Sequence, residues 1–458
     1  MSATGLAALA GFAADRSAPG LPAPVIAKAR ACLLYGLSVA IAGRAAPEPA
    51  IAVRSQDDEP QDRAGAIRLL DGAWRGPESA AFANAVLMHA RVQEDAHPAG
   101  HVGVVVLPAA LACAQRLQAG GDALLAAIAV GYEVALRIGR DHCAGLSERG
   151  FRTTSAYGPF GAAAACARLR GLDVSRTTHA LALAASAAGG IREFVEAGSQ
   201  DYAFQAGLAA RGGMRCAALA AAGAIGAASA LDGPAGFFRA FGADGSGYGR
   251  RIPDGLGESW EFDRVAFKPY PVCQFHRAVV AGVLALRERA KGAPAAGIEV
   301  RMHPFEADFF GVRHAGAFAS FAQSFMSAPF CAALAWLRGE VTYGGLTDFA
   351  AADVLDLVGR VRVVADSACP RYQPRILIRL QAGGMLEWSD PAGEEGYRLD
   401  WTAAQRMCRR LLDEAGVSTG STEALISAAE AMDGPTGITG LVTAAVAACA
   451  DARAPIGP

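Results

Sequence analysis

Charge is scarce in this chain and lysine scarcer still: only 19% of the residues are Asp, Glu, Lys or Arg, and the lysines are Lys28, Lys268 and Lys291 alone. The 42 basic residues nearly balance 44 acidic ones. No basic run or aromatic-interleaved basic stripe occurs, which excludes nucleic acid and an anionic membrane surface as partners. No stretch reaches about 18 uninterrupted apolar residues without Gly or charge, so no membrane span is expected. The opening MSATGLAALAGFAADRSAPGLP lacks the basic leader and unbroken apolar core of a signal peptide. No CxxC occurs among the ten cysteines, which are scattered mostly through Ala-rich apolar segments. They read as buried thiols of a reducing compartment, and a cytoplasmic location is expected. There is no fixed-period repeat and no low-complexity linker.

What is present is apolar surface, 52% of 458 residues, enough for a large core and two domains. From residue 24 to about 240 apolar residues recur every three or four positions, predicting helices over Pro24–Ala42, Val105–Leu117, Asp122–Ile138, Gly158–Leu169, Ser175–Ala188 and Ala206–Ala222. Several are apolar on all sides and belong inside a multi-helix assembly. After the Gly-rich stretch Phe241–Gly257 the pattern changes: helix His276–Arg289, strand Gly297–His303, helix Ser327–Leu337, strand Arg360–Ala365, and a hairpin of Arg375–Gln381 with Met385–Trp388. The fold class read from this pattern is mainly α: a large helical domain, an α+β segment beyond Lys268, and a helical tail from about Asp400 that packs back on the first domain.

The densest chemistry lies in Asn84–Ala112, where three of eight histidines join Glu94 and Asp95 within thirteen residues before an apolar helix. Pro98, Gly100 and Gly103 place the cluster on a loop, where functional groups concentrate. His101 lies near the start of the following helix, whose dipole favours a neutral imidazole usable as a base. His89 is expected to face helical packing, and His97, before Pro98, to lie exposed as a second proton-transfer candidate. A metal site across 97 to 101 is not expected, because Pro98 and Gly100 prevent the helix that an i, i+4 histidine pair requires. Glu133 and Arg137, at i, i+4 in an apolar helix, form a buried structural pair. Cys273 as a nucleophile needs a thiolate and an oriented base that the spacing to His276 does not establish. Ala243–Gly249 lacks a preceding strand and a GK[ST] ending, so it is not a phosphate loop.

Taken in order, LPAPVIAKARACLLYGLSVAIAG, AAFANAVLMHA, HVGVVVLPAALA, VGYEVALRIGR, GFRTTSAYGPFGAAAACARLRGLD and FKPYPVCQFH resemble the MmgE/PrpD family, which includes 2-methylcitrate dehydratase, cis-aconitate decarboxylase and iminodisuccinate epimerase. The resemblance implies a large all-helical domain over 1–265 completed by 400–458, a smaller α+β lid domain over 266–399, a homodimer, and no metal or organic cofactor. His101, Lys268 and His276 stand at family positions. The departures are several: HARVQEDA replaces a sequence close to HALDFDDT, keeping Glu94 and Asp95 as acids, and Arg152 stands where relatives have His. Tyr202 and Gln205 replace a Lys and a His, and Phe330 a Tyr.

On this reading Lys268 binds a carboxylate or exchanges a proton, which the chain's habitual arginine cannot do. Arg152 offers a carboxylate-binding fork and no base. Tyr202 is a candidate phenolic acid or base, or else a core residue. His276, Glu94 and Gln205 join Arg152 as candidate substrate contacts. The leading function is a cofactor-independent hydro-lyase that removes a proton next to a carboxylate of a small di- or tricarboxylate. An epimerase of a small dicarboxylate and a catalytically altered binding scaffold stand as alternatives.

Overall fold

Small residues decide how the helices of this chain approach one another. The computed structural model describes residues 5–17, 20–242, 247–390, 392–433 and 437–453, which form two compact units. The first comprises residues up to Ile191, Asp201–Phe267 and Leu399 onward; the second, Arg192–Gln200 and Lys268–Arg398. Part of the Ala243–Gly249 stretch lies outside the described residues.

The first unit is helical. Its centre is made by Gly103–Leu117, Gly121–Gly139 and Thr153–Leu169. A Cβ on Gly131 would stand 2.7 Å from Val106 and 2.8 Å from the Gly161 carbonyl, so these helices touch backbone to backbone only because the side chains are missing. Around them pack Ala23–Gly43, Pro77–His89, Val174–Ala184 and Asp201–Ala221. The returning Trp401–Glu414 helix lies against Ala23–Gly43 and buries Ala403, Ala404, Met407, Cys408, Leu411 and Leu412 on one face. Among the described residues Ala23–Gly43 is the one helix long and apolar enough to cross a bilayer, and 83% of that window is buried inside the protein.

Two of these helices begin earlier than periodicity predicts. Periodicity gives a start at Gly158, whereas the helix starts at Thr153 and carries Pro159 within it. Proline cannot donate to the carbonyl four residues back, and here the Gly189 amide takes the Ser155 carbonyl instead, at 3.3 Å. The Asp201–Ala221 helix likewise starts a turn before Ala206, so Tyr202 and Gln205 are helical. The Val174–Ala184 helix stops short of Ala188 and ends in a single tighter turn, Ala185–Ala187.

Two buried cations organise this unit. Arg137, paired with Glu133, donates to the carbonyls of Ile252 (2.9 Å), Asp254 (2.7 Å), Gly255 (3.0 Å) and Ser259 (2.6 Å), while Glu133 accepts the Phe262 amide at 3.0 Å. The Lys28 ammonium donates to the Val265 carbonyl and, at 2.7 Å, to that of Leu399. Those two residues lie where the chain leaves the unit and where it returns.

The second unit holds a four-stranded sheet in the order Val361–Ala365, Ala295–Met302, Arg375–Leu380, Met385–Ser389, its first pair parallel and the others antiparallel. Ile298, Val300, Ile376 and Ile378 are buried, and the helices Arg277–Ala290 and Ala328–Arg338 pack against the strands. Gly383 and Gly384, at φ of 92° and 96°, make the hairpin turn that a side chain would strain.

Candidate active site in the helical unit

The site begins where the Pro77–His89 helix ends. His89 is its last residue and is fully buried, and the chain turns back at Val92, a β-branched residue at φ +47°, a costly conformation that concentrates at functional loops. The turn brings Glu94 beneath His89, with Nδ1 of the ring 3.1 Å from Oε2. The other oxygen, Oε1, lies 3.4 Å from Nδ1 of His101. One buried carboxylate therefore stands between two imidazoles.

Of these groups His101 is the one that reaches solvent, its side chain 19% exposed against 2% for Glu94. Nδ1 of His101 is also 3.0 Å from the Asp95 carbonyl, an acceptor, so that nitrogen carries the proton and Nε2 is the basic atom of the neutral ring. The His101 amide donates to Oγ1 of Thr154 at 3.2 Å. A Cβ on Gly100, at φ +130°, would meet that neighbourhood at 2.8 Å from Thr153 Oγ1, so glycine is required for the loop to seat. The Asp95 carboxylate sits at the start of the Gly103–Leu117 helix and accepts from the Tyr132 hydroxyl. Burial, together with the adjacent carboxylate, holds the Tyr132 phenol well above its usual range.

Arg152 immediately precedes the Thr153–Leu169 helix and is buried. Its guanidinium donates to His89 Nε2, to the Tyr202 carbonyl and, at 3.4 Å, to Oε1 of Gln205. These contacts correct the expectation of a fork turned toward a ligand: the cation is committed to acceptors of the protein itself. Gln205 donates to the Ile191 carbonyl at 3.0 Å and so braces Arg152. Tyr202 is also revised. Its hydroxyl donates to the Ala90 carbonyl at 3.0 Å and stands 3.5 Å from Glu48, while its ring packs edge-on against His89 with centroids 5.8 Å apart. It is a wedge that fixes His89, with its phenol spent on the core.

His97 is not exposed. It exchanges backbone hydrogen bonds with Gly100, Nδ1 accepts from the Ala99 amide at 3.0 Å, and Nε2 faces Glu261 at 3.4 Å. Both ring nitrogens hold the loop in shape, and the hydrogen bond from His97 draws the Glu261 carboxyl down to about 2. Among the described residues no group of three His, Cys, Asp or Glu is arranged to hold a metal ion.

Lys268 and His276 belong to the second unit. Lys268 is buried, and Lys268 and Arg192 are the two cations acting on the buried Cys273, whose thiol burial nevertheless pushes up, away from a nucleophilic thiolate. Arg192, which also lies 4.6 Å from the Phe309 ring centroid, carries no sequence signal that separates it from the many other arginines. His276 is fully buried, with Nδ1 3.3 Å from the Phe325 carbonyl, and burial lowers its pKa to about 4. Its ring lies in the core of this unit, away from the exposed position a ligand contact would suggest by sequence alone. His142, in the first unit, is likewise lowered to about 4 by burial. A histidine lowered from 6.5 to about 4 binds its proton in the unfolded chain first. Stability is therefore full above pH 6.5 and is lost as pH falls toward 4, by up to about 1.4 kcal/mol per pH unit for each ring. Urea midpoints should fall between pH 6.5 and 5, above the range of ordinary carboxylates, and His142→Leu should flatten that slope; equal slopes would contradict this origin of the pH dependence.

The residues missed in the sequence are His89, read there as packing, and the acceptors around Arg152. A histidine closing a helix five residues before a loop carboxylate was the available signal.

Family profiles match both units of the chain: the MmgE/PrpD N-terminal domain over residues 7–246 and the C-terminal domain over 270–391. The chain is 35% identical to a cis-aconitate decarboxylase of Homo sapiens over 206 residues, 43% of this chain and 41% of that protein. It is 30% identical to a cis-aconitate decarboxylase-like protein of Aspergillus oryzae over 264 residues, 54% of each. With a cis-aconitate decarboxylase of Aspergillus terreus the identity is 28% over 298 residues, 61% of this chain and 59% of the relative. The matches thus span about half the length of these relatives. With profiles for both domains matched in order, the chain belongs to the MmgE/PrpD family.

Proposed function

We propose that this protein is a cofactor-independent lyase acting on a small di- or tricarboxylate, with His101 as the base that removes a proton next to a carboxylate. The observation that carries the reading is His101 itself, partly exposed, with Nδ1 held on the Asp95 carbonyl at 3.0 Å and the buried Glu94 carboxylate 3.4 Å from the same nitrogen. A base needs its proton-bearing nitrogen held and its other nitrogen presented, and a carboxylate behind the ring stabilises the imidazolium that forms. Lys268 is the proposed carboxylate-holding cation, a compact ammonium in a chain that otherwise relies on arginine. A cation at the substrate carboxylate stabilises the enediolate-like charge of proton removal. A homodimer and a cytoplasmic location belong to the same proposal.

Dehydration is the leading form, with departure of a hydroxyl giving an alkene. Decarboxylation is the second, favoured by the activity in the names of the relatives. Incubation with a panel of small hydroxy and unsaturated di- and tricarboxylates in deuterated water separates them. An alkene without carbon dioxide supports the first, and carbon dioxide release the second. Label exchange without either product replaces the lyase by an epimerase. A chain inert toward the whole panel, with unchanged carboxylate affinity after Lys268→Ala, is a binding scaffold.

A further inference from the structure

The Arg152 to His89 contact has a consequence for protonation. Every nitrogen of a guanidinium is a donor and none accepts. Nε2 of His89, facing an Arg152 N–H, is therefore the acceptor and carries no proton. The proton of the neutral ring lies on Nδ1, the nitrogen 3.1 Å from Glu94 Oε2. A second proton on Nε2 would point at a cation in a fully buried place. Glu94 thus faces an N–H on one oxygen and presents the other, as a carboxylate, to the N–H of His101 at 3.4 Å. Along Arg152, His89, Glu94 and His101 the protons therefore face one way, an order set at its buried end by the hydrogen bond from Arg152 to His89 and continued by the two close approaches to the Glu94 carboxylate.

We infer that His89 is a positioning residue: Arg152 holds it neutral with its proton on Nδ1, and through it keeps Glu94 charged and seated against His101. Tyr202 guards the arrangement, since its carbonyl takes Arg152 and its ring walls His89. The catalytic meaning of this rests on the function proposed above; the protonation pattern does not.

The test is long-range nitrogen-15 to proton spectroscopy of the full chain carrying labelled histidine, with no substrate present. His89 should show the neutral Nδ1–H pattern throughout pH 5.5 to 8.5, and His101 the same tautomer in its neutral form. Arg152→Gln should let His89 take up a second proton beside Glu94 and lower the His101 pKa by about one unit, since the carboxylate's charge is then shared. Arg152→Lys, which keeps a donor-only cation, should restore the wild-type pattern. A wild-type His89 that is protonated on Nε2, or doubly protonated, overturns the inference even if no variant folds. So do His89 and His101 signals that do not move in Arg152→Gln. Because no turnover is read, a protein inert toward every carboxylate leaves these spectra untouched, and the two failures are distinguishable.

Discussion

On the proposed lyase reading, His101→Asn should lower kcat by about 10²–10⁴-fold, with a small change in KM. The side chain is partly exposed and its amide is held separately by Thr154, so the loop keeps its shape when the ring is lost. Glu94→Gln should act in the same direction by a smaller factor, because it leaves the base in place and removes only the charge behind it. It should also move the acid limb of the kcat/KM profile downward, since a neutral amide no longer favours the imidazolium. Steady-state kinetics of the two variants from pH 5.5 to 8.5 measure both effects. Wild-type kcat in His101→Asn would remove the base from the mechanism; an unmoved limb in Glu94→Gln would uncouple the carboxylate from it.

Arg137→Leu should be the most destabilising single change in the helical unit, costing about 3–5 kcal/mol, the usual penalty for breaking a buried ion pair from one side. It strands Glu133 as an uncompensated buried charge and removes the donor from four loop carbonyls. Burial already pushes the Glu133 carboxyl upward, with the Phe262 amide and Arg137 opposing it. The double variant Glu133→Leu/Arg137→Leu should recover part of the loss, because the charge goes and only the carbonyls stay unsatisfied. Thermal midpoints in the order wild type, double variant, single variant are expected. A single variant that melts with the wild type would show that the loop finds other donors.

The Glu133–Arg137 pair was legible in the sequence because opposite charges at i, i+4 within an otherwise apolar helix must neutralise each other when that helix is buried. That the guanidinium would also gather Ile252 to Ser259 was not, since those acceptors are backbone atoms with no side-chain signature. The same reason accounts for Arg152. Its residue type suggests a fork for an anion, but the partners it meets are the Tyr202 carbonyl, Gln205 and a histidine nitrogen. Helices were clear wherever apolar spacing is regular, and two of their starts were obscured. At Pro159 a distant amide, that of Gly189, takes the carbonyl the ring leaves free, and at Asp201 a first turn with Asp201 and Gln205 interrupts the apolar spacing. His101 was visible from its place beside Gly100 and an apolar helix. A carboxylate partner for it was not read in the sequence; the turn at Val92 gives Glu94 to the two histidines and Asp95 to Tyr132.

Lys28 shows how a large excursion can be hosted by a helical scaffold. One ammonium grips the outgoing and the incoming backbone, so the detour from Lys268 to Arg398 begins and finishes at a single staple on the Ala23–Gly43 helix. Holding both ends at one point meets the entropic toll of closing that detour, a toll that rises only slowly with its length. Changes of length within Lys268–Arg398 therefore leave the two backbone points held on the Ala23–Gly43 helix where they are.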